Sequence, residues 1–194
     1  MSSGYLEMII GPMFSGKTSR ILEIYRKAKY CNANVIVINH SFDNRYSSKN
    51  EVVNHNNEKI PCENFTLLTD FIETLNKPEN DYLKTGETII LINEGQFFED
   101  VKEAVIQLVE VFTFKVYVCG LDGDYMRKPF GNFLELIPYS NKITKLNSLC
   151  IQCKDGTDAS FTYRISVTQD QIMIGSHESY IPVCRACYLQ LSMA

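Results

Sequence analysis

The segment GPMFSGKT, residues 11–18, has the residue types and the spacing of a loop that binds phosphate. It fits G-x-x-x-x-G-K-[ST] and lies between a predicted strand and a predicted helix, the context that this motif requires. The glycines let the backbone direct N–H groups at phosphate oxygens, Lys17 supplies a cation, and the Thr18 hydroxyl can ligate Mg²⁺. The predicted phosphate-binding loop (P-loop) consists of Gly11, Pro12, Met13, Phe14, Ser15, Gly16, Lys17 and Thr18.

Two cysteine pairs with CxxC spacing occur near the end of the chain, CIQC at 150–153 and CRAC at 184–187. Four thiolates are the number that a tetrahedral structural Zn²⁺ needs, and they leave no open position for catalysis. The alternative is two unrelated pairs of buried cysteines, but the repeated spacing in a chain without a secretory signal favours a metal site. The predicted zinc ligands are Cys150, Cys153, Cys184 and Cys187.

The segment LINEGQFF, residues 91–98, runs from an apolar strand into Asn93 and Glu94. A carboxylate just past a strand lies at the rim where α/β proteins bind ligands, and Glu94 could take a proton from an attacking hydroxyl. The alternative for Glu94 is an ordinary exposed glutamate. Phosphate-handling proteins usually carry an aspartate after such a strand, which helps to hold Mg²⁺. The uncharged Asn93 predicts weaker Mg²⁺ binding, and it leaves open a nucleotide-binding protein without turnover.

Strand and helix patterns alternate over the first two thirds of the chain. Strands are predicted at 5–10, 34–40, 87–93 and 114–121, and helices at 17–30 and roughly 99–112. Alternation of this kind indicates an α/β fold with a parallel sheet. Residues 51–65 interrupt the alternation and read as a hairpin, and near residue 149 the sequence becomes polar and β-rich. We therefore expect a P-loop α/β domain over residues 1–148 and a zinc-binding domain over residues 149–194.

The charge and the hydropathy pattern limit the classes of partner. The net charge of the 194 residues is -4, which argues against duplex nucleic acid because surfaces that bind phosphate backbones are usually basic. No apolar run approaches the length of a membrane span, and the N-terminus lacks the pattern of a signal peptide. These observations predict a cytoplasmic protein that binds neither nucleic acid nor membrane. A zinc-ribbon ATPase stimulated by DNA or RNA stays open as an alternative, although no basic stripe supports it.

The motifs together carry a resemblance to a known family. The chain resembles the type II thymidine kinases, which are cytosolic and contain zinc. The resemblance rests, in order along the chain, on GPMFSGKT, DNRYSS at 43–48, EGQFF at 94–98, LDGDYMRKPFG at 121–131 and the two CxxC pairs. The match covers nearly the whole chain. It implies a P-loop NTPase-like sheet domain followed by a small zinc-binding lasso domain. It also implies transfer of the γ-phosphate of ATP to the 5′-hydroxyl of thymidine with Mg²⁺, a homotetramer, and feedback inhibition by thymidine triphosphate.

The resemblance also implies roles for single residues. Glu94 matches the general base, and Asp43 and Arg45, with Asn93 in place of the usual aspartate, match positions around ATP. Residues that match the thymine pocket are Met13, Phe97, Leu121, Tyr125, Phe130 and Thr162, with Tyr125 where the family more often has phenylalanine. The segment 172–180 matches the lasso, the loop that closes over the nucleoside. Its predicted nucleoside contacts are Ile172, Met173, Ile174, Gly175 and Tyr180.

Overall fold

The computed structural model describes residues 3–41, 50–165 and 179–193. The first elements are strand β1 (Tyr5–Ile10) and helix α1 (Lys17–Tyr30), and both bounds agree with the sequence prediction. Five of the six β1 residues are buried, because a parallel strand inside a sheet is covered on both faces. The buried residues of α1 recur at helical spacing, so that one face of the helix packs on the sheet.

A parallel sheet of six strands forms the centre of the fold, in the order β5-β2-β6-β7-β1-β8. Its remaining strands are β2 (Asn34–His40), β5 (Glu63–Phe65), β6 (Thr88–Ile92), β7 (Lys115–Gly120) and β8 (Lys142–Lys145). Because the strands are parallel, their carboxyl ends meet at one edge of the sheet. The P-loop after β1, Asn93 and Glu94 after β6, and Leu121 after β7 therefore lie along the same edge, where open α/β sheets bind ligands.

Apolar clusters cover both faces of the sheet. One cluster joins Leu6, Met8 and Ile10 of β1 to helices α2 (Leu68–Leu75) and α3 (Val101–Glu110). The other joins Ile9 to α1 and to a short hairpin. The alternation of β1 residues between the two clusters follows from the strand period of two. Three 3₁₀ segments, Pro78–Lys84, Gly95–Phe97 and Phe133–Tyr139, complete this part of the chain.

The hairpin predicted within residues 51–65 is confirmed in its first part. Strands β3 (Glu51–Val53) and β4 (Lys59–Pro61) pair antiparallel, and they pack over α1. The last part of the range, β5, instead joins the main sheet parallel to β2. The four long predicted strands and both predicted helices are present, whereas α2 and the polar edge strand β8 are elements that the sequence reading did not assign.

Short antiparallel ribbons replace the parallel sheet after residue 147. Strand β9 (Ser148–Leu149) pairs with β10 (Asp158–Ala159), and β11 (Phe161–Arg164) pairs with β12 (Tyr180–Val183). Helix α4 (Arg185–Ser192) follows directly. The change in sequence character near residue 149 thus coincides with a change in pairing, while the division into two domains there stays a prediction. None of the helices in the described part of the chain has the length and apolar character needed to cross a bilayer.

Candidate active site and metal centre

The P-loop wraps around the start of α1 in a conformation that its glycines permit. Gly16 has a φ of 84° and is the N-cap of α1. A Cβ on Gly11 would lie 2.4 Å from the carbonyl oxygen of Leu146, so only glycine fits there. The Lys17 ammonium donates to the carbonyl oxygens of Gly11 at 3.1 Å and Pro12 at 2.7 Å. The lysine is therefore folded back over the loop, on the side where the motif binds phosphate.

The environment of the P-loop supports an anionic ligand. Within the described residues, the buried Ser15 hydroxyl oxygen has no hydrogen-bond partner, which is unusual for a buried polar atom. Behind the loop, the Cys119 thiol donates to the Lys17 carbonyl oxygen at 3.5 Å. Complete burial raises the pKa of Cys119, so that this thiol stays protonated and acts in packing. Lys17, the Ser15 hydroxyl and the N-terminus of α1 together fit a polyphosphate.

Two side chains after β6 occupy different environments. Asn93 is buried, and its amide Nδ2 donates to Oδ1 of Asn39 at 2.9 Å. Glu94 is half-buried and has the left-handed backbone conformation φ 53°, ψ 44°. This conformation turns the chain sharply at the end of the strand. The Asn93 amide is thus buried against β2, whereas the Glu94 side chain stays partly exposed.

Gln96 fixes the carboxylate of Glu94. Its Nε2 donates to Glu94 Oε2 at 2.6 Å, and its Oε1 accepts from the backbone N–H of Leu121 at 3.1 Å. Gln96 is buried, where polar groups need hydrogen-bond partners, and these two bonds supply one for each end of its amide. The loop after β6 and the loop after β7 are thereby joined through one side chain. Gln96 was not among the sequence-predicted residues; its position two residues after Glu94 gives no indication of its contact with Leu121.

Several residues predicted to enclose a thymine base come together in the structure. The rings of Phe97 and Phe130 meet edge to face with centroids 5.6 Å apart. The backbone N–H of Met13 donates to the Thr162 hydroxyl at 2.9 Å, which links the P-loop to β11. Leu121 is tied to the same region through Gln96. The bond between Met13 and Thr162 thus joins residues 149 positions apart at the P-loop.

Tyr125 and Tyr180 are also brought together, through a side chain that the sequence reading missed. The guanidinium of Arg164 lies 3.9 Å from the centroid of the Tyr125 ring and 5.0 Å from that of Tyr180. The Tyr188 hydroxyl of α4 donates to the Tyr125 carbonyl oxygen at 2.7 Å. No local pattern in the sequence shows that Arg164 is buried between two rings. The predicted residues Asp43, Arg45, Ile172, Met173, Ile174 and Gly175 lie outside the described residues.

The four predicted zinc ligands form one compact cluster. Their sulfur atoms all lie within 4.8 Å of one another, and Cys153 Sγ is 3.8 Å from Cys184 Sγ and 3.6 Å from Cys187 Sγ. Four sulfurs at about 2.3 Å from a tetrahedral Zn²⁺ are roughly 3.8 Å apart, so these separations fit zinc. Sulfur atoms this close without a disulfide are typical of thiolates around a shared cation.

Hydrogen bonds from backbone N–H groups favour the thiolate form of Cys150. Burial alone would raise the pKa of Cys150, but N–H groups of Cys153, Cys184 and Gln152 donate to its sulfur and lower its pKa to about 6. The bond from the Cys184 N–H measures 3.2 Å. Because the metal ligand is the thiolate, this arrangement favours the form that binds zinc. With four protein sulfurs the coordination shell is closed, as in structural sites.

Taken together, a P-loop at the carboxyl edge of a parallel sheet, a carboxylate on the next loop and a Cys₄ cluster define a P-loop nucleotide-binding protein with a cysteine cluster that fits a metal ion. Residues 4–188 match the family described as "Thymidine kinase". The chain is 35% identical over 188 residues to the thymidine kinase of Sheeppox virus (strain KS-1), with 97% of this chain and 98% of the viral protein covered.

Two further relatives show similar agreement. Identity to the thymidine kinase of Choristoneura fumiferana entomopoxvirus is 38% over 188 residues, covering 94% of this chain and 95% of that protein. Identity to the thymidine kinase of Vaccinia virus (strain Western Reserve) is 34% over 189 residues, covering 97% and 99%. The chain belongs to the thymidine kinase family. The predicted family is therefore confirmed, and neither the nucleic-acid-dependent ATPase nor the non-catalytic relative is favoured.

Proposed function

We propose that this chain transfers the γ-phosphate of ATP to the 5′-hydroxyl of thymidine. The observation that carries the proposal is the Glu94 carboxylate, held by Gln96 at the same sheet edge as the P-loop. A positioned carboxylate can take the proton of an attacking hydroxyl, and a P-loop can hold the phosphate that is attacked. Membership of the thymidine kinase family supplies the acceptor class.

The phosphate chain of ATP binds along the P-loop. Lys17 and the backbone N–H groups of residues 11–18 neutralise and orient the phosphates, as the motif requires. Thr18 would ligate Mg²⁺ when the ion is bound, and Asn93 and Asp43 would help to hold its water. Mg²⁺ supplies charge neutralisation of the phosphates when it is bound. Two observations support this assignment: the Ser15 hydroxyl has no hydrogen-bond partner among the described residues, and Gly16 has a left-handed backbone conformation at the start of α1.

Glu94 acts as the general base for the 5′-hydroxyl. The hydrogen bond from Gln96 restricts the carboxylate to one orientation, and the other end of Gln96 is anchored on the Leu121 N–H. A restrained base close to its final geometry loses less entropy on reaching the reactive arrangement. Arg45 contributes positive charge beside the transferred phosphoryl group.

The thymine base lies between apolar residues on the loops and the lasso. The residues that enclose the base are Met13, Phe97, Leu121, Tyr125, Phe130 and Thr162. The lasso residues that close over it are Ile172, Met173, Ile174, Gly175 and Tyr180. A flat pocket with few polar groups suits a pyrimidine. The edge-to-face pair Phe97–Phe130 and the bond between Met13 and Thr162 support this arrangement.

Zn²⁺ at the Cys₄ cluster is structural. The cluster ties the turn after β9 to the start of α4, so that it fixes the ends of the segment from which the lasso extends. A lasso with fixed ends loses less conformational entropy when the nucleoside binds. From the family resemblance we further propose a homotetramer in the cytoplasm, feedback inhibition by thymidine triphosphate, and no nucleic-acid or membrane partner.

A thymidine-dependent kinase assay tests the proposal. ATP consumption and thymidine monophosphate formation are measured over a Mg²⁺ titration for the parent chain, Glu94→Gln and Asn93→Asp. We expect turnover in the parent and a fall in kcat of about 10²- to 10⁴-fold in Glu94→Gln, because the base is lost while the shape is kept. We expect Asn93→Asp to reach half-maximal rate at lower Mg²⁺, since a carboxylate neutralises the ion better than an amide.

A binding measurement is the control for this assay. Calorimetric titration of ATP and thymidine separates binding from turnover in each variant. A parent that binds both ligands at saturating Mg²⁺ but makes no thymidine monophosphate contradicts the proposed function. Turnover that survives in Glu94→Gln would instead contradict the role of Glu94 alone.

A further inference from the structure

Arg164 is the last residue of β11, and only 7% of it is exposed. An arginine is rarely buried to this extent unless its charge is paired or stacked, because desolvation of the charge is unfavourable. Its contacts therefore indicate what it stabilises. None of the predicted functions of the P-loop, of Glu94 or of the Cys₄ cluster uses this side chain.

The guanidinium of Arg164 contacts two tyrosine rings from different parts of the chain. It lies 3.9 Å from the ring centroid of Tyr125, on the loop after β7, and 5.0 Å from that of Tyr180, on β12. Its Nη2 also donates to the Tyr180 hydroxyl. A planar guanidinium can stack on a ring and donate a hydrogen bond in the same geometry, which a lysine ammonium cannot do.

The position of Arg164 in the β11–β12 ribbon determines which residues lie on the same face of β11. Arg164 pairs with Tyr180 at the end of the β11–β12 ribbon, and the Ile165 N–H donates to the Ser179 carbonyl oxygen at 3.0 Å just beyond. Thr162, two residues earlier, lies on the same face and accepts from the Met13 N–H. The same face of β11 therefore contacts both the P-loop and the two tyrosines.

The opposite face of β11 packs against helix α4. The Tyr163 hydroxyl donates to the Leu191 carbonyl oxygen at 2.9 Å, and the Phe161 ring lies 5.7 Å from that of Tyr188. Alternate residues of one short strand thus face two regions. The side chain at position 164 therefore faces away from Phe161 and Tyr163, and it is linked to α4 through Tyr125, whose carbonyl oxygen accepts from the Tyr188 hydroxyl.

We propose that Arg164 is a positioning residue that holds the Tyr125 and Tyr180 rings together in the orientation that receives the nucleoside. It acts through the two rings and makes no contact with the substrate itself. Rings that are ordered before binding lose less side-chain freedom when the ligand arrives, so the arginine increases affinity for the nucleoside. The inference rests on the proposed function, because it takes thymidine as the ligand.

The test compares thymidine with ATP in variants at position 164. Thymidine Kd by calorimetry and KM for both substrates are measured in the parent, Arg164→Gln, Arg164→Lys, Tyr180→Phe and the double variant Arg164→Lys/Tyr180→Phe. We expect Arg164→Gln to raise the thymidine Kd and KM about tenfold or more, while the ATP KM changes less than about twofold. We expect Arg164→Lys to restore only part of the affinity, because charge without a planar face is insufficient.

The double variant tests whether Arg164 acts through Tyr180. If it does, the two substitutions are not additive, and the second adds less than about half of its effect in the parent, measured as the logarithm of Kd. Additive effects on thymidine Kd overturn the inference. This comparison also decides the matter if Arg164→Gln does not fold, since lysine and phenylalanine preserve most of the buried volume.

A matched control is Arg185→Gln. Arg185 also lies over an aromatic ring, that of Phe161 at 4.8 Å, but it is exposed and contacts neither tyrosine of the pair. Zinc content and circular dichroism are recorded for every variant. An active parent with unchanged thymidine Kd in folded Arg164→Gln overturns the inference alone. A parent that binds thymidine without phosphorylating it overturns the proposed function, and the Kd comparison still tests Arg164.

Discussion

Beneath the P-loop, the sheet buries a large apolar cluster on each face, whereas the region after residue 147 (the cysteine lobe) has a cluster of five buried side chains, two of which are cysteines of the Cys₄ cluster. The first region has enough apolar burial to be stable by packing. The second buries too little apolar surface for that, so we expect its order to depend on a metal ion at the Cys₄ cluster. Under the proposed function both regions contribute to one site, and substitutions that weaken one or the other are expected to affect different measurements.

Removal of a zinc ligand is expected to have the largest effect. Cys153→Ser should unfold the lobe, because structural zinc supplies folding free energy that can exceed about 10 kcal/mol at neutral pH. We expect thymidine turnover to fall to background while ATP still binds to the P-loop with a Kd changed less than about threefold. Zinc content, limited proteolysis and calorimetric titration with ATP measure these effects.

Cys31→Ser is the matched control for the zinc prediction. Cys31 is exposed at the end of α1 and lies outside the cluster. It should keep zinc, thymidine turnover and ATP affinity. Loss of ATP binding together with zinc in Cys153→Ser would show that the two regions are one cooperative unit and do not have separate sources of stability.

Gln96→Met is expected to have an intermediate effect, larger on the chemical step than on thymidine binding. Methionine preserves the volume but removes the bonds to Glu94 and to the Leu121 N–H. Each bond contributes about 1 kcal/mol, so we expect kcat to fall about tenfold with a smaller rise in thymidine KM. Steady-state kinetics with both substrates measures the split. Gln107→Met, at an exposed position on α3, is the control, and equal kinetics in the two variants would exclude an orienting role for Gln96.

The smallest expected effect concerns a buried acid in the central sheet. Glu7 in β1 accepts from the hydroxyls of Thr144 at 2.7 Å and Tyr5 at 3.0 Å and from the Lys142 ammonium at 3.1 Å. Burial alone would raise its pKa, but these donors lower it below the usual range. The ionised carboxylate therefore stabilises the fold above the unfolded pKa of about 4.3, and this stability is lost as the pH falls through the lower folded pKa.

Glu7→Gln tests this contribution. We expect the variant to lose on the order of 1 kcal/mol of unfolding free energy at pH 7, and the difference from the parent to shrink below about pH 4. Denaturant unfolding from pH 3 to 7 measures it. Glu110→Gln, at the exposed end of α3, should show no such convergence. A difference that stays constant at low pH would mean that the ionised form of Glu7 is not what stabilises β1.

The sequence predicted the elements whose pattern is local. The bounds of β1 and α1 agree with the prediction because a buried parallel strand, a glycine turn and an amphipathic helix each have their own signal. Strand β8 was missed because three of its four residues are exposed at the sheet edge, so that no apolar run marks it. The clustering of the four cysteines was predictable because the spacing itself encodes the site.

The contacts between distant residues could not be predicted in the same way. Gln96 bonds the Leu121 N–H across 25 positions, and Arg164 stacks on Tyr125 from a different region of the chain. Neither residue type is unusual for a surface position, and no periodicity identifies its partner. The sequence therefore indicated which segments contribute to the site, whereas the side chains that orient one segment against another emerged only from the fold.

The backbone at Glu94 has an evolutionary consequence. Its φ of 53° and ψ of 44° lie in the left-handed region, which glycine adopts freely and which costs another L-residue about 1 kcal/mol or more. Backbone strain alone would favour glycine at this position, so under the proposed function the carboxylate is the reason that a glutamate stands there. In a lineage that no longer needs the reaction, replacement of Glu94 by glycine would relieve the backbone strain but would also remove the hydrogen bond from Gln96.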